Sequence, residues 1–188
     1  KGFNYSQDGP GNRLVYHLQG CNLRCPWCSN PEGMDPTGAC VTEPVEKIAR
    51  DVDAARAMYF DRGGLTLTGG ECALQLDAVL SLLRQVKQLG IHTAIETNAA
   101  SPRLSEIFPY LDLLMMDVKH HDARALRDMT GADSAMVHRN LARALDAGLE
   151  TIVRIPLVHG FNDSLEDAQG FARYFKGLSG FSLELLPY

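Results

Sequence analysis

Short apolar runs alternate along this chain with longer stretches in which apolar residues recur at helical spacing. The runs Arg13–Gln19, Leu65–Thr68, Ile91–Glu96, Leu111–Lys119, Thr151–Val158 and Phe181–Leu186 predict six strands. Leu111–Lys119 is almost continuously apolar, as a parallel strand covered on both faces is. Between the strands the pattern predicts helices from Thr42 to about Asp61, and over Leu74–Leu89, Pro102–Tyr110, Ala123–Asp128, Ser134–Ala147 and Leu165–Lys176. In the first of these, Val45, Ile48, Ala49, Val52, Ala55 and Tyr59 share one face. Thr42 is placed to cap it, and Glu43 and Glu46 suit the positive end of its dipole. Gly63-Gly64, Gly90 and Gly148 close helices. Residues 2–12, rich in Gly, Asn, Ser and Asp, predict a loop.

Alternation of strand and helix implies right-handed βαβ units and a parallel sheet, hence an α/β fold. An open doubly wound sheet and an incomplete barrel both satisfy the pattern. The length of 188 residues suits one domain over 1–188, and there is no internal repeat or low-complexity tract. In either architecture ligands gather at the carboxyl ends of the strands. The notable polar residues fall at those ends.

Composition narrows the function. Hydrophobic residues at 45% and charged residues at 22% are ordinary for a globular protein. A formal charge of −5 argues against a nucleic-acid partner, which calls for a basic face. No apolar run approaches the roughly 18 residues of a membrane span, and there is no export pattern. Five cysteines, three of them clustered, read as cytoplasmic metal chemistry rather than disulfides. The chain opens on Lys1 rather than a start methionine, which predicts residues before it.

The clustered cysteines form Cys21-x3-Cys25-x2-Cys28, directly after the first strand. Three thiolates on one short loop can converge on zinc or on an iron–sulfur cluster. Structural zinc wants a fourth ligand, for which Cys40 or His17 would have to serve. A [4Fe-4S] cluster held by three cysteines leaves one iron open to a small molecule. Both readings stand on the spacing alone.

After the second strand comes Thr68-Gly69-Gly70-Glu71, where two glycines admit close approach to the backbone and a carboxylate can receive an ammonium. An ordinary strand–helix turn looks the same. Asp117 and Lys119 end the fourth strand; such a pair in an apolar run is costly unless used or paired. Arg154, inside the fifth strand, needs an anionic or carbonyl partner, with Glu184 and Asp117 as internal candidates. Cys72 reads as a buried thiol, Trp27 as packing against neighbouring loops, and His120 and His121 as solvated.

The C-x3-C-x2-C spacing with Trp27 before the third cysteine resembles the cluster motif of the radical S-adenosylmethionine (SAM) superfamily. Asp8-Gly9-Pro10-Gly11-x-Arg13 before it, Cys28-Ser29-Asn30-Pro31-Glu32 after it and Glu184-Leu185-Leu186-Pro187-Tyr188 at the end resemble the glycyl-radical enzyme activating enzymes, of the pyruvate formate-lyase type. The resemblance implies an incomplete (β/α)6 barrel, a partial TIM barrel, with a [4Fe-4S] cluster on Cys21, Cys25 and Cys28. It implies SAM contacts from Trp27, Asn30, Gly69, Gly70 and Thr97. Glu71 would take the methionyl amino group, Lys119 the carboxylate or ribose with Asp117 fixing its direction, and Arg154 the carboxylate or its network. It further implies a monovalent cation near Glu96, Thr97, Met115 and Asp117, although relatives commonly carry aspartate where this chain has Glu96.

In such enzymes a flavodoxin or ferredoxin supplies one electron and SAM splits into methionine and a 5′-deoxyadenosyl radical. That radical removes the α-hydrogen of a glycine on a partner enzyme. Many relatives carry a ferredoxin-like insertion after the cluster motif. The short connection Pro31–Thr42, with only Cys40, has no room for one. The family's chain also continues past its Pro-Tyr, which predicts residues after Tyr188. A radical SAM enzyme for a small molecule, an iron–sulfur electron carrier and a zinc-stabilised protein are the competing readings.

Overall fold

The computed structural model describes residues 1–188. Its seven strands form one sheet in sequence order: β1 (Gly2–Tyr5), β2 (Asn12–Leu18), β3 (Gly64–Gly69), β4 (His92–Thr97), β5 (Leu113–Asp117), β6 (Thr151–Leu157) and β7 (Phe181–Pro187). From β2 to β7 every pairing is parallel, while β1 runs antiparallel to β2 with Gly2 opposite Val15. The helices are α1 (Val45–Ala54), α2 (Leu76–Gln88), α3 (Ala123–Thr130), α4 (Ser134–Asp146) and α5 (Leu165–Tyr174). A doubly wound sheet reverses strand order at a switch point. This order never reverses, and β7 does not pair with β1. The architecture is the incomplete barrel, with one antiparallel strand added at its edge.

Register sorts the side chains. Leu14, Tyr16, Leu65, Leu67, Ile95, Leu114, Met116, Val153 and Ile155 point to the helix side and join the main core of 30 buried residues. There they meet Ala49 and Val52 of α1 and Leu76, Val79, Leu82, Leu83 and Val86 of α2. Alternate positions face the inside of the barrel. Low on that surface Ala94, Leu113 and Met115 pack with Ile152. At the foot of the barrel lies Arg13, 0% exposed. Its guanidinium donates to Thr66 Oγ1 (2.5 Å), Leu65 O (2.6 Å), Arg62 O (3.1 Å), Pro10 O (3.2 Å) and His92 Nδ1 (3.2 Å). Burial pushes its pKa down to about 10.

Several elements differ from the sequence reading. Residues 2–12 hold β1, too short for a periodic pattern; Phe3 rests on Tyr59 and Tyr5 on Phe60, with ring centroids 6.5 and 5.8 Å apart. Thr42 does not cap α1. Pro44 steers Glu43 away from helical backbone, so the helix begins at Val45 with Pro44 as its N-cap. It ends at Ala54 and gives way to a 3-10 turn, Arg56–Met58. Pro102–Tyr110 is two 3-10 turns, Leu104–Glu106 and Phe108–Tyr110, because Pro109 lacks the amide a continuous helix would use. A further 3-10 turn, Cys72–Gln75, precedes α2.

Candidate active site

A cavity of about 330 Å³ opens at the carboxyl ends of the strands. Every residue singled out from the sequence as a site residue lines it, except Glu71 and Met115. A larger, more open groove of about 610 Å³ lies at the opposite ends of β5 and β6, around Phe108, Leu111, Arg143 and Leu149, and holds none of them.

The cysteine loop leaves β2 at Gly20, which turns the chain with φ +95°. Its backbone is tied down on both sides. Gly20 N donates to Gly33 O (2.8 Å), Cys21 N to Met34 O (3.1 Å) and Arg24 N to Thr130 O (3.1 Å). Leu23 packs on Leu126 of α3 and on Ala132, together with Cys21 and Cys25. The outer side of the loop therefore rests on α3, and the half-buried thiols of Cys21, Cys25 and Cys28 line the cavity. Burial pushes the Cys21 and Cys25 thiols up, and the Lys119 ammonium works against that shift. Cys21 Sγ accepts from Leu23 N (3.4 Å) and from Asn98 Nδ2 (3.8 Å).

The glycine turn is stitched to this loop. Gly70 N donates to Leu18 O (2.8 Å) and Glu71 N to Gly20 O (2.7 Å). A Cβ on Gly70 would stand 2.0 Å from Gly20 O and 2.9 Å from Gly33 O, so only glycine fits. Glu71 turns away from the cavity and is 0% exposed. It accepts from Ala73 N (2.9 Å), Asn98 N (2.8 Å) and Thr97 Oγ1 (2.8 Å). Burial raises its pKa while these bonds oppose the rise. The expectation of a carboxylate offered to an ammonium in the cavity does not match this arrangement; Glu71 pins the turn after β3 to the end of β4.

Charged side chains close the far side. Glu96 Oε2 accepts from Thr68 Oγ1 (2.6 Å) and its Oε1 pairs with Arg154 Nη1 (2.5 Å). Arg154 also donates through Nε to Glu184 Oε2 (2.8 Å) and through Nη2 to Gln7 O (2.8 Å). Of the two partners expected for Arg154, Glu184 is present and Asp117 is not. Asp117 pairs with Lys119 instead, Oδ2 to Nζ, at 2.5 Å. Burial disfavours the charge on Lys119, but Asp117 and the neighbouring thiols outweigh it and its pKa rises. Arg154 shows the same balance, with Glu96 and Glu184 overcoming burial.

Residues 15–172 match the Radical SAM superfamily. The chain belongs to the radical SAM superfamily. Within it the chain groups with the activating enzymes. It is 34% identical to the pyruvate formate-lyase-activating enzyme of Clostridium pasteurianum, over 188 aligned positions that cover 96% of this chain and 77% of that one. It is 29% identical to the choline trimethylamine-lyase activating enzyme of Oleidesulfovibrio alaskensis, over 246 positions that cover 96% and 79%. Among solved structures, a domain of a pyruvate-formate lyase-activating enzyme from Bacteroides vulgatus superposes with TM-score 0.60 at 26% identity, covering 67% of this chain and 81% of that one.

Radical SAM proteins use a [4Fe-4S] cluster and SAM, and the residues here fit the cluster better than zinc. Cys40 and His17 are exposed and Cys72 is buried beside Glu71, and none of the three lines the cavity as a fourth ligand. Sulfurs around one zinc stand about 3.8 Å apart, given Zn–S bonds of about 2.3 Å. The three thiols are not grouped within 4.8 Å of one another. The monovalent cation fits poorly. Both oxygens of Glu96 are engaged, Asp117 is paired with Lys119, the Thr97 hydroxyl donates to Glu71, and Met115 packs below. The Glu96 carboxylate instead meets the Arg154 guanidinium.

Two features escaped the sequence reading. Asn98 reaches both Asn22 Oδ1 (2.8 Å) and Cys21 Sγ, a role visible only once β4 stands beside β3. His120, expected in solvent, is 4% exposed, because the loop after β6 folds over it and Phe161 O meets its Nε2 at 3.0 Å.

Proposed function

We propose that this radical SAM protein activates a glycyl-radical enzyme of the pyruvate formate-lyase type, drawing its electron from a flavodoxin or ferredoxin. The observation that carries this reading is the single cavity into which three thiols, a glycine turn, Lys119 and Arg154 all open. Choice of partner type is supported by alignment length: the match with the choline-lyase relative extends over 246 positions and that with the pyruvate formate-lyase relative over 188, the length of this chain. A cluster on Cys21, Cys25 and Cys28 would supply the electron that cleaves SAM. Lys119 binds the carboxylate of SAM, and Asp117 aims its ammonium. Arg154, clamped by Glu96 and Glu184, adds a fixed cation without needing to reorient. The backbone of Gly69 and Gly70 accepts SAM closely, and Trp27, Asn30 and Thr97 shape the remaining wall. Trp27 and Phe161 exclude water from it. Free cysteines and an oxygen-labile cluster suit an anaerobic cytoplasm.

The test is anaerobic reconstitution with iron and sulfide, reduction, addition of SAM and assay for 5′-deoxyadenosine, then for a glycyl-radical signal on pyruvate formate-lyase. Both products are expected. A well-formed cluster without deoxyadenosine would favour an electron carrier, and bound zinc would overturn the reading.

Lys119→Ala is expected to lose about 1.5–3 kcal/mol of SAM binding, the worth of a charge-assisted hydrogen bond. Calorimetry would read this as about tenfold or more in affinity, and unchanged affinity would refute the role. Replacing potassium and sodium by tetramethylammonium at constant ionic strength is expected to leave SAM affinity unchanged. A loss of about tenfold would restore an alkali-cation site.

A further inference from the structure

Outside the cavity three more ligand-type side chains meet. His120, His121 and Asp167 bring ring nitrogens and a carboxylate oxygen within 4.8 Å of one another. The spacing suits a metal ion, but the bonding does not. The amide of Asp122 donates to His120 Nδ1 at 2.9 Å, so that nitrogen carries no proton. Nε2 then bears the proton of the neutral ring and donates it to Phe161 O at 3.0 Å. Burial lowers the pKa of His120, in the direction of the neutral ring. A metal needs a bare nitrogen, and neither is bare. Asp167 takes His121 Nε2 on Oδ1 (3.1 Å) and caps α5 through Ser164 with Oδ2. The triplet is a hydrogen-bonded brace.

What the brace holds is the loop after β6. Asn162 Nδ2 fastens that loop to Lys119 O and Pro156 O, each at 2.8 Å. The Phe161 ring stands 4.7 Å from the His120 ring and 4.8 Å from Trp27. Trp27, 8% exposed, is a wall of the cavity next to Cys28. His121 secures the other end, since a Cβ on Gly170 of α5 would meet its ring at 2.3 Å. Contacts therefore run from α5 through His121, His120 and Phe161 to Trp27.

We propose that His120 is a positioning residue of the SAM site: its Nε2–H bond to the Phe161 carbonyl sets the Phe161 ring against Trp27 and so fixes the cavity wall beside Cys28. The inference rests on the cavity being the SAM site. His120 itself does not line the cavity. Trp27 is the one tryptophan of the chain, so 5-fluorotryptophan gives a single 19F resonance from that wall.

The experiment compares wild type, His120→Gln and His120→Asn, each carrying its oxidised cluster. It reads the 19F resonance, SAM affinity and the rate at saturating SAM. The two amides separate the two bonds of the ring. Glutamine places a donor where Nε2 stood and keeps the Phe161 bond; asparagine places an acceptor where Nδ1 stood and keeps only the Asp122 bond. His120→Gln is expected to hold the resonance and the affinity near wild type. His120→Asn is expected to move the resonance and weaken SAM binding about five- to tenfold, with the saturated rate retained. Phe161→Leu is expected to move the resonance likewise, as a check that the Phe161 ring reports on Trp27; His120→Leu, which removes both bonds of the ring, decides the matter if His120→Asn does not fold. An unmoved resonance in His120→Asn, in His120→Leu used in its place, or in Phe161→Leu would overturn the proposal. So would a glutamine variant that behaves like the asparagine one. If the resonances shift as expected while no protein binds SAM, the coupling of His120 to Trp27 stands and the SAM reading falls.

Discussion

Serine in place of Cys25 is expected to yield a folded protein with no [4Fe-4S] cluster and no SAM cleavage. The loop does not depend on this sulfur for its shape. Its backbone is held by Gly33 O, Met34 O and Thr130 O, and its apolar contact comes mainly from Leu23. Loss of stability should therefore stay within about 1 kcal/mol, as for most partly exposed positions. Loss of chemistry should exceed about a thousandfold, or roughly 4 kcal/mol of barrier, because two thiolates cannot replace three. Iron and sulfide content, melting temperature and deoxyadenosine yield measure the three parts separately. Cys40→Ser and Cys72→Ala are the controls. Cys40 is exposed, and Cys72 is buried against Glu71 and Glu96 O, so neither should change iron content. A cluster that survives Cys25→Ser, or one that is lost in Cys40→Ser, would sink the assignment.

Arg13→Met is expected to produce the largest loss of stability in the barrel. The guanidinium is fully buried, and its acceptors are three carbonyls, one hydroxyl and one imidazole. His92 accepts through Nδ1 because Arg13 has only donors to offer, and burial together with Arg13 pushes the pKa of the ring down to about 4. Methionine would fill much of the space but strand most of these acceptors, at about 1–3 kcal/mol for each one left buried. A net cost of about 3–5 kcal/mol follows once some of them relax. In a chain of this size that is about 10 °C in melting temperature. Arg13→Lys should rescue little, since one ammonium cannot span the fork. A fall of less than about 3 °C for Arg13→Met would show that the acceptors find other partners.

The sequence exposed those parts of the site that depend on near neighbours. The cysteine spacing, the glycine pair and Asp117-x-Lys119 each sit at the end of an apolar run, and the barrel delivers strand ends to one place. The sequence left unseen what a distant partner decides. Glu71 reads as a ligand beside its glycines, yet its bonds come from Thr97 and Asn98 on the next strand. Arg154 spans the barrel to Glu96, a pairing that follows from side-chain length rather than from position in the chain. The burial of His120 depends on a loop 41 residues away in sequence. Strand β1 carries too few residues to show a period and is legible only as a complement to the edge of β2.

The stitching of the glycine turn to the cysteine loop divides the site into two bodies with different freedom. Leu18, Gly20, Gly33, Gly70 and Glu71 share backbone bonds of 2.7–2.8 Å, so neither loop can shift without carrying the other. Any adjustment during turnover must then come from the opposite bank, where the Lys119 side chain faces the cavity from just after β5 while Arg154 stays clamped by Glu96 and Glu184. The half that would carry the metal is built as an anvil, and the half that would grip the carboxylate of SAM is the part able to give.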